Sequence, residues 1–277
     1  PVSRSGKKSS IMEEAKQEGI YTGIINSGSI EEPGTAVFVA SNLKRGNYTE
    51  IAKDIIQSGT DLIFSGGEDF LIPEGTSGKF SSGGKRNDGL NLIDWAIKNG
   101  YTVVYTKDEL LATSPEVKKI LGVFASRNTF NDKTEEVLDS LGLPNWSQTA
   151  PSVAEMTNFA LKFFRNKGQF FLVVEEEGTD NFGNKNNANA KLSALDRADD
   201  AIGIVINFIN ENPNTTLVTA ADSEAGGLEV SGYEIDNLDA NAPLPARDMN
   251  GSPIDGINGT GTLPFISKPD KSGKTFP

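Results

Sequence analysis

The sequence has 277 residues and a formal net charge of −12, with no histidine and no cysteine. An acidic chain without a basic stripe excludes nucleic-acid binding as the expected function, and the lack of cysteine excludes a disulfide framework or a thiolate metal site. The lack of histidine removes the commonest zinc ligand and the commonest general base.

Taken in chain order, the apolar pattern alternates between strands and helices. Ser10 followed by Glu13 predicts a capping box at the start of the first helix, which Gly19 ends. Apolar spacings predict helices at residues 9–19, 48–57, 90–98, 107–112, 152–166 and 190–210. Short apolar runs predict strands at residues 20–25, 61–64, 101–105, 120–125, 170–174 and 216–221. No apolar run reaches the ~20 residues that a membrane span needs.

Three connecting segments have loop composition. Residues 68–89 are rich in Gly, Ser and Lys and predict a mobile surface loop, and residues 127–150 predict a lid or surface insertion. Residues 228–277 form a loop-rich tail. In the tail, oxygens of Asp248, Asn250 and Asp255 could form a calcium loop, but a series of turns is favoured because the EF-hand spacing is absent.

The alternation predicts an α/β fold: a three-layer sandwich with a mainly parallel central sheet and helices on both faces. All six strands are expected in one sheet, within a single domain over residues 1–277. The long helix at 190–210 has an apolar stripe that predicts a buried core face. Its members are Leu192, Leu195, Ala198, Ile202, Val205, Ile206 and Ile209.

Two of the predicted strands end in acids. Glu175 and Asp180 follow the strand at 170–174, and Asp222 and Glu224 follow the strand at 216–221. Because parallel strands joined by a helix end at the same sheet edge, these carboxylates should converge, which requires protonation or a metal ion. The alternative is a solvated acidic loop.

These stretches resemble the core of the alkaline phosphatase family. In that family one strand ends in a glutamate followed by Asp-His-x-x-His, and the next ends in Thr-Ala-Asp-His before Gly-Gly. Here the corresponding stretches read EEEGTDNFGN and TAADSEAGG. The segments GIINSGSIEEPGTAVFVASNLKRGNY, IFSGGEDFLIP, DGLNLIDWAIKNGYTVV, ILGVFAS and PSVAEMTNFALKFF follow the family's order, so the resemblance covers about residues 9–228.

The resemblance aligns residues of this chain with the zinc-binding positions of the family, and several of these residues differ from those of the family. Asp180 falls on the first zinc-binding aspartate, while Asn181 and Asn184 replace the two histidines of the family. Asp222 falls on the aspartate of the other zinc site, and Ser223 replaces its histidine. What remains is an all-oxygen set, which suits Mg²⁺ or Ca²⁺ better than Zn²⁺.

The resemblance also assigns a magnesium corner and a phosphate contact. Glu175 falls on the magnesium-binding glutamate, and Glu32 lies where the family has an aspartate or a histidine. Gly34 replaces the magnesium-binding threonine. Arg45 falls on the phosphate-binding arginine, whose planar guanidinium suits a bidentate phosphate contact.

The resemblance implies that the family's nucleophile and first metal-binding aspartate lie before Pro1 and its last zinc-binding histidine after Pro277. We therefore expect a fragment whose partners are the missing segments and a phosphomonoester, with a homo-oligomer as a further expectation. The family is typically exported, which implies a periplasmic or extracellular location.

Two functions remain open. The first is a metal-dependent phosphomonoester hydrolase with its nucleophile outside this chain. The second is a catalytically inactive, phosphatase-like extracellular structural or binding protein. Ser27, Ser29 and Ser41 lack a histidine base, so they do not supply the first function with a nucleophile.

Overall fold

The computed structural model describes residues 9–221 and 225–227. Its strands are β1 (Tyr21–Ser29), β2 (Leu62–Gly66), β3 (Tyr101–Val104), β4 (Lys119–Val123) and β5 (Phe170–Glu175). Its helices are α1 (Ile11–Gln17), α2 (Pro33–Ala36), α3 (Tyr48–Gln57), α4 (Leu92–Lys98), α5 (Lys107–Ala112), α6 (Glu135–Leu141), α7 (Val153–Phe164), α8 (Gly178–Asn184) and α9 (Ala188–Glu211). Short 3-10 turns occur at Glu68–Phe70 and Ala225–Gly227.

The helix starts follow the capping signals of the sequence. Ser10 caps α1: its hydroxyl accepts from the backbone N–H of Glu13, whose carboxylate accepts from the N–H of Ser10. Ser152 and Glu155 form the same reciprocal pair at the start of α7. Each pair satisfies two backbone donors that a helix start leaves unpaired, so the predicted first helix is confirmed.

The described strands form one parallel sheet in the order β3-β4-β2-β1-β5. Ile24 and Ile63 pack in a cluster with residues of α1, α3 and α4, whereas their neighbours Ile25 and Phe64 pack with residues of α5 and α7. Because successive strand residues face opposite sides, helices cover both faces. The predicted three-layer α/β sandwich is confirmed.

The prediction of a sixth strand at residues 216–221 is wrong. Residues 216–221 have no strand structure, and Val218 is 83 % exposed. A strand of a parallel sheet needs other elements packed on both of its faces and neighbouring strands to hydrogen-bond with. A β-branched composition alone provides neither of these.

The predicted core stripe of α9 is also wrong in part. Leu195 and Ile206 are exposed, and Ile202 and Val205 are half-buried. The buried positions of this helix include Ala194 and Ala201. A helical apolar pattern shows which side of a helix can be buried, whereas burial itself depends on what packs there.

The predicted mobile loop at residues 68–89 is anchored at Glu68. This carboxylate is buried and accepts from the backbone N–H groups of Lys79, Phe80 and Ser81 at 2.6–2.8 Å. The composition of the loop predicted mobility. Composition does not show that the buried Glu68 carboxylate accepts hydrogen bonds from three backbone N–H groups of the loop.

A buried arginine holds the same loop from its other end. Arg86 donates to the backbone carbonyls of Thr49 and Phe70 and pairs with Asp88 at 2.5 Å. These contacts use most of the guanidinium donors, which is the condition for burying an arginine.

The described residues fall into two compact units. The first contains the sheet and consists of the described residues 9–130, 146–177 and 197–217. Its Phe130 and Trp146 pair as an antiparallel bridge, with ring centroids 6.5 Å apart, at the base of the connection that was predicted as a lid or insertion.

The second unit consists of the described residues 131–145, 178–196, 218–221 and 225–227. In it α8 forms where the sequence predicted no helix, and this helix packs against Ala225–Gly227. The backbones of Gly183 and Gly226 meet so closely that a Cβ atom on either would overlap the other segment.

The predicted tail at 228–277, with Asp248, Asn250 and Asp255, lies outside the described residues, so the single-domain prediction stays a prediction. In the described part of the chain, no helix is long and apolar enough to cross a membrane.

Candidate active site

The carboxyl ends of β1 and β5 lie side by side. The register pairs Ile25 with Val174 and Asn26 with Glu175, so the residues that end the two apolar runs are neighbours. Ligands of open α/β sheets bind at this edge, which makes it the candidate site of the fold.

Asn26 links the two strand ends. Its amide nitrogen donates to Oε2 of Glu175 at 2.6 Å and to Oγ1 of Thr35 at 3.1 Å. Its amide oxygen accepts from the backbone N–H of Gly28 at 2.5 Å. Asn26 is 1 % exposed, so the amide is fully enclosed and its donors and acceptor are committed to these partners.

Gly34 lies directly against the Glu175 carboxylate. A Cβ atom at position 34 would overlap both carboxylate oxygens of Glu175. The Glu175 side chain therefore occupies the space that a larger residue 34 would need, at the position where the resemblance has a metal-binding threonine.

A second buried group lies next to this pair. Ser27 donates to Glu176 at 2.8 Å and accepts from the backbone N–H of Glu177 at 2.8 Å. Glu176 also accepts from Nε of Arg197 at 3.3 Å, and the Arg197 guanidinium lies 4.3 Å from the Trp146 ring centroid. This buried ion pair ties α9 to the end of β5 and uses the hydroxyl of Ser27.

A third carboxylate lies further along the edge. The Glu31 side chain is 1 % exposed, accepts from the hydroxyl of Ser29, and faces the Arg127 guanidinium at 3.7 Å. Burial raises the pKa of Glu31 from 4.5 to about 6, against the lowering effects of the Ser29 hydrogen bond and the Arg127 charge. Arg127 in turn lies over the Phe70 ring at 4.6 Å.

The predicted phosphate contact lies at the outer rim of the same unit. Arg45 is 73 % exposed on its side chain and pairs with Glu32 at 3.5 Å. The structure thus places Arg45, which the resemblance assigns to phosphate binding, next to Glu32, which it assigns to metal binding.

Asp180 and Asn184 lie in the second unit, four residues apart on α8. The Asn184 amide donates to Oδ2 of Asp180 at 2.9 Å. Burial raises the pKa of nearby Asp132; the Lys185 charge opposes the rise and the Asp180 charge adds to it. Asp222 and Ser223 lie outside the described residues, so convergence of Glu175, Asp180 and Asp222 stays a prediction.

The described residues contain no group of three or more acidic side chains close enough to hold a metal ion. Asp180 and Asn184 do supply adjacent hard oxygens, which fit part of a Mg²⁺ or Ca²⁺ shell. At the Glu175 corner the fit is poor, because the amide that donates to Glu175 belongs to buried Asn26 and is held by Gly28, whereas Asn184 is exposed. Position 34 also has no side-chain oxygen.

Sequence reasoning did not find Asn26, Glu31, Glu176, Arg127 or Arg197. A signal for the first existed: Asn26 and Ser27 follow an apolar run just as Glu175 and Glu176 do. The roles of both arginines depend on long-range packing, which periodicity does not show.

The fold and this edge define a three-layer α/β protein with a polar, acid-rich rim where β1 and β5 end. The model of the family described as alkaline phosphatase matches residues 2–253. This chain therefore belongs to the alkaline phosphatase family.

Relatives and solved structures agree with the assignment. Alkaline phosphatase 4 of Bacillus subtilis is 27 % identical over 254 residues, which are 89 % of this chain and 49 % of the relative. The repressible alkaline phosphatase of Saccharomyces cerevisiae is 28 % identical over 234 residues, or 80 % of this chain and 41 % of the relative. The chain thus spans about half the length of these relatives.

Among solved structures, the alkaline phosphatase of Thermus thermophilus is similar with a TM-score of 0.62 and 27 % identity, over 75 % of this chain and 40 % of that one. The alkaline phosphatase of the Antarctic bacterium TAB5 is similar with a TM-score of 0.59 and 25 % identity, over 74 % of this chain and 53 % of that one. Both support the parallel α/β architecture.

Proposed function

We propose that this chain contributes ion-binding acids and the phosphate-contacting arginine of an alkaline phosphatase-type phosphomonoester hydrolase. The observation that supports this most is the pairing of Asp180 with Asn184 on α8, within a chain of this family. Phosphoryl transfer needs mainly positioning and charge.

The proposed ion ligands are Asp180 and Asn184 together with Asp222 and Ser223. Their oxygens favour Mg²⁺ or Ca²⁺ over Zn²⁺, for which all-oxygen shells are unusual. The family uses divalent metals, and a variant of the TAB5 enzyme with Mg bound is similar in fold, with a TM-score of 0.56. When bound, such an ion would neutralise charge on the phosphate oxygens.

Arg45 is the proposed phosphate contact. Its guanidinium is largely exposed and shares only a long, 3.5 Å ion pair with Glu32, so exchanging Glu32 for a phosphate costs little. Replacing Arg45 with lysine would lose the bidentate geometry that suits a phosphate.

The serines of the described edge do not serve as nucleophiles in this proposal. Ser27 and Ser29 are fully buried, and their hydroxyls donate to Glu176 and Glu31. The resemblance implies a nucleophile outside this chain, so in this proposal we expect the 277 residues alone to be inactive at family rates. Export to the periplasm or the cell exterior, and assembly into a homo-oligomer, belong to the same proposal and rest on family membership alone.

A second candidate function is a phosphatase-like structural or binding protein without turnover. It is favoured by the protein partners of Glu175 and Glu32, and by the lack of a three-acid metal cluster among the described residues.

Equilibrium dialysis with Mg²⁺, Ca²⁺ and Zn²⁺ separately tests the proposal. We expect the chain to bind Mg²⁺ or Ca²⁺ in preference to Zn²⁺, and Asp180→Asn to lose that ion. Asp139→Asn, an exposed change on α6 in the same unit, is the matched control and should bind as the parent does. A chain that binds no ion, or an Asp180→Asn variant that binds normally, would favour the second candidate.

A further inference from the structure

We infer that the Glu175 corner of this sheet is held by the neutral amide of Asn26 in place of a divalent cation. This goes beyond the proposed function, whose ion lies on Asp180 and Asn184, and it assigns Glu175 a structural role that competes with the metal role implied by the resemblance.

The orientation of the amide is fixed by a backbone group. The N–H of Gly28 can only donate, so the atom of Asn26 at 2.5 Å from it must be the oxygen. The amide nitrogen then necessarily points to Glu175 and Thr35. The usual ambiguity between the two amide atoms is therefore removed.

Both N–H groups of the amide are then used. One N–H is directed at Oε2 of Glu175 and the other at Oγ1 of Thr35, while Asn26 itself is fully buried. Glu175 is half-buried, and an acceptor that receives a short hydrogen bond from a fixed donor is compensated for the water that it loses. A cation at Oε2 would have to displace this donor.

Gly34 completes the arrangement. Because it lacks a side chain, the Glu175 carboxylate can lie against its backbone, where a Cβ atom would overlap it. A residue with an oxygen-bearing side chain at this position, which could add an ion ligand, would push the carboxylate away from Asn26.

The remaining carboxylate of the corner also has a cationic partner within the protein. Glu32 pairs with Arg45 at 3.5 Å, so the acids assigned to this corner meet an amide and a guanidinium. The amide compensates Oε2 of Glu175 by a hydrogen bond and not by charge, so an ion is disfavoured at this corner by the donor that it would have to displace.

Two variants test the inference. Glu175→Gln keeps an oxygen for the Asn26 amide, so it should bind the same number of Mg²⁺ or Ca²⁺ ions as the parent chain in equilibrium dialysis. Asn26→Asp puts two carboxylates together at the present 2.6 Å contact, which should create an ion site. We expect Asn26→Asp to bind one additional Ca²⁺, and its unfolding midpoint to rise with saturating Ca²⁺ by about 5 °C more than that of the parent.

Loss of one ion equivalent in Glu175→Gln would overturn the inference, as would an Asn26→Asp variant that folds and gains no ion. If Asn26→Asp does not fold, the dialysis of Glu175→Gln decides. A parent chain that binds no ion at all would count against the proposed function, while an ion gained by Asn26→Asp would still support the role of Asn26, so the two failures are distinguishable.

Discussion

Gly34 shows how one missing side chain positions an acid. Its hydrogen faces the Glu175 carboxylate, which would overlap any Cβ atom placed there. Gly34→Ala should therefore destabilise the protein by about 2 kcal/mol, as overpacking in a filled site does. Urea unfolding measures the change, and Gly46→Ala is the matched control because its Cβ would meet nothing within 4 Å. Equal stability of both variants would contradict the packing at Gly34.

Glu31 makes stability depend on pH in a defined window. Its folded pKa is raised from 4.5 to about 6, so between these values the folded protein holds a proton that the unfolded chain has lost. Stability therefore falls as pH rises through this window, by about 2 kcal/mol in total, and the loss stays constant above it.

Glu31→Gln removes this titration. Relative to the parent, the variant should gain about 2 kcal/mol between pH 4.5 and pH 6, measured by urea unfolding at several pH values. A difference that is flat with pH, or that favours the parent as pH rises, would contradict the buried carboxyl described here.

At the scale of elements, the buried ion pair of Glu176 and Arg197 fastens α9 to β5. Their side chains are only 3 % and 15 % exposed. Arg197→Met should cost about 3 kcal/mol in urea unfolding, because it leaves the buried Glu176 carboxylate without its cationic partner, and adding Glu176→Gln should restore much of the loss.

The ion pair of Arg165 and Glu211 is the matched control for that prediction. It joins α7 and α9 with side chains that are 48 % and 66 % exposed. Arg165→Met should therefore cost under about 1 kcal/mol. Similar costs for both arginine variants would show that burial does not set the strength of the Arg197 pair.

Glu68 anchors residues 79–81 of the loop at 68–89. It accepts three backbone N–H groups of that loop, and Glu68→Gln leaves at least one of them facing an amide that cannot accept. Limited trypsin digestion should cut after Lys79 or Lys85 faster in this variant than in the parent. Glu74→Gln, an exposed change in the same loop, should leave the digestion rate unchanged. Equal rates for Glu68→Gln and the parent would mean that the loop does not depend on Glu68.

The elements that sequence predicted correctly are those whose apolar faces pack on the sheet. Helix α7 has such a face, and Met156, Phe159 and Phe163 are buried as its spacing indicates. Residues 216–221 and the stripe of α9 have equally clear patterns, yet Val218 and Leu195 are exposed. The apolar pattern of a helix or strand shows which of its sides can be buried. Whether that side is buried depends on what packs against it in the folded protein.

At the scale of the whole molecule, the sequence predicted that Glu175 lies at the edge of the sheet. It did not predict the hydrogen bond that Glu175 accepts there. Glu175 could be placed at the edge because an apolar run stops there. The bond from Asn26 could not be predicted, since it depends on the register between β1 and β5, which are far apart in the chain. Asp222 and Ser223 keep their proposed roles as predictions.

The measurement that tests the account most directly is hydrolysis of a simple aryl phosphate by the 277-residue chain, with bound metal quantified in the same samples under Zn²⁺, Mg²⁺ and Ca²⁺ separately. The account predicts no metal-dependent turnover at family rates and no stoichiometric zinc, because the edge serines are buried and the chain has no histidine or cysteine. Metal-dependent turnover by the chain alone, or one tightly bound zinc per chain, would contradict it.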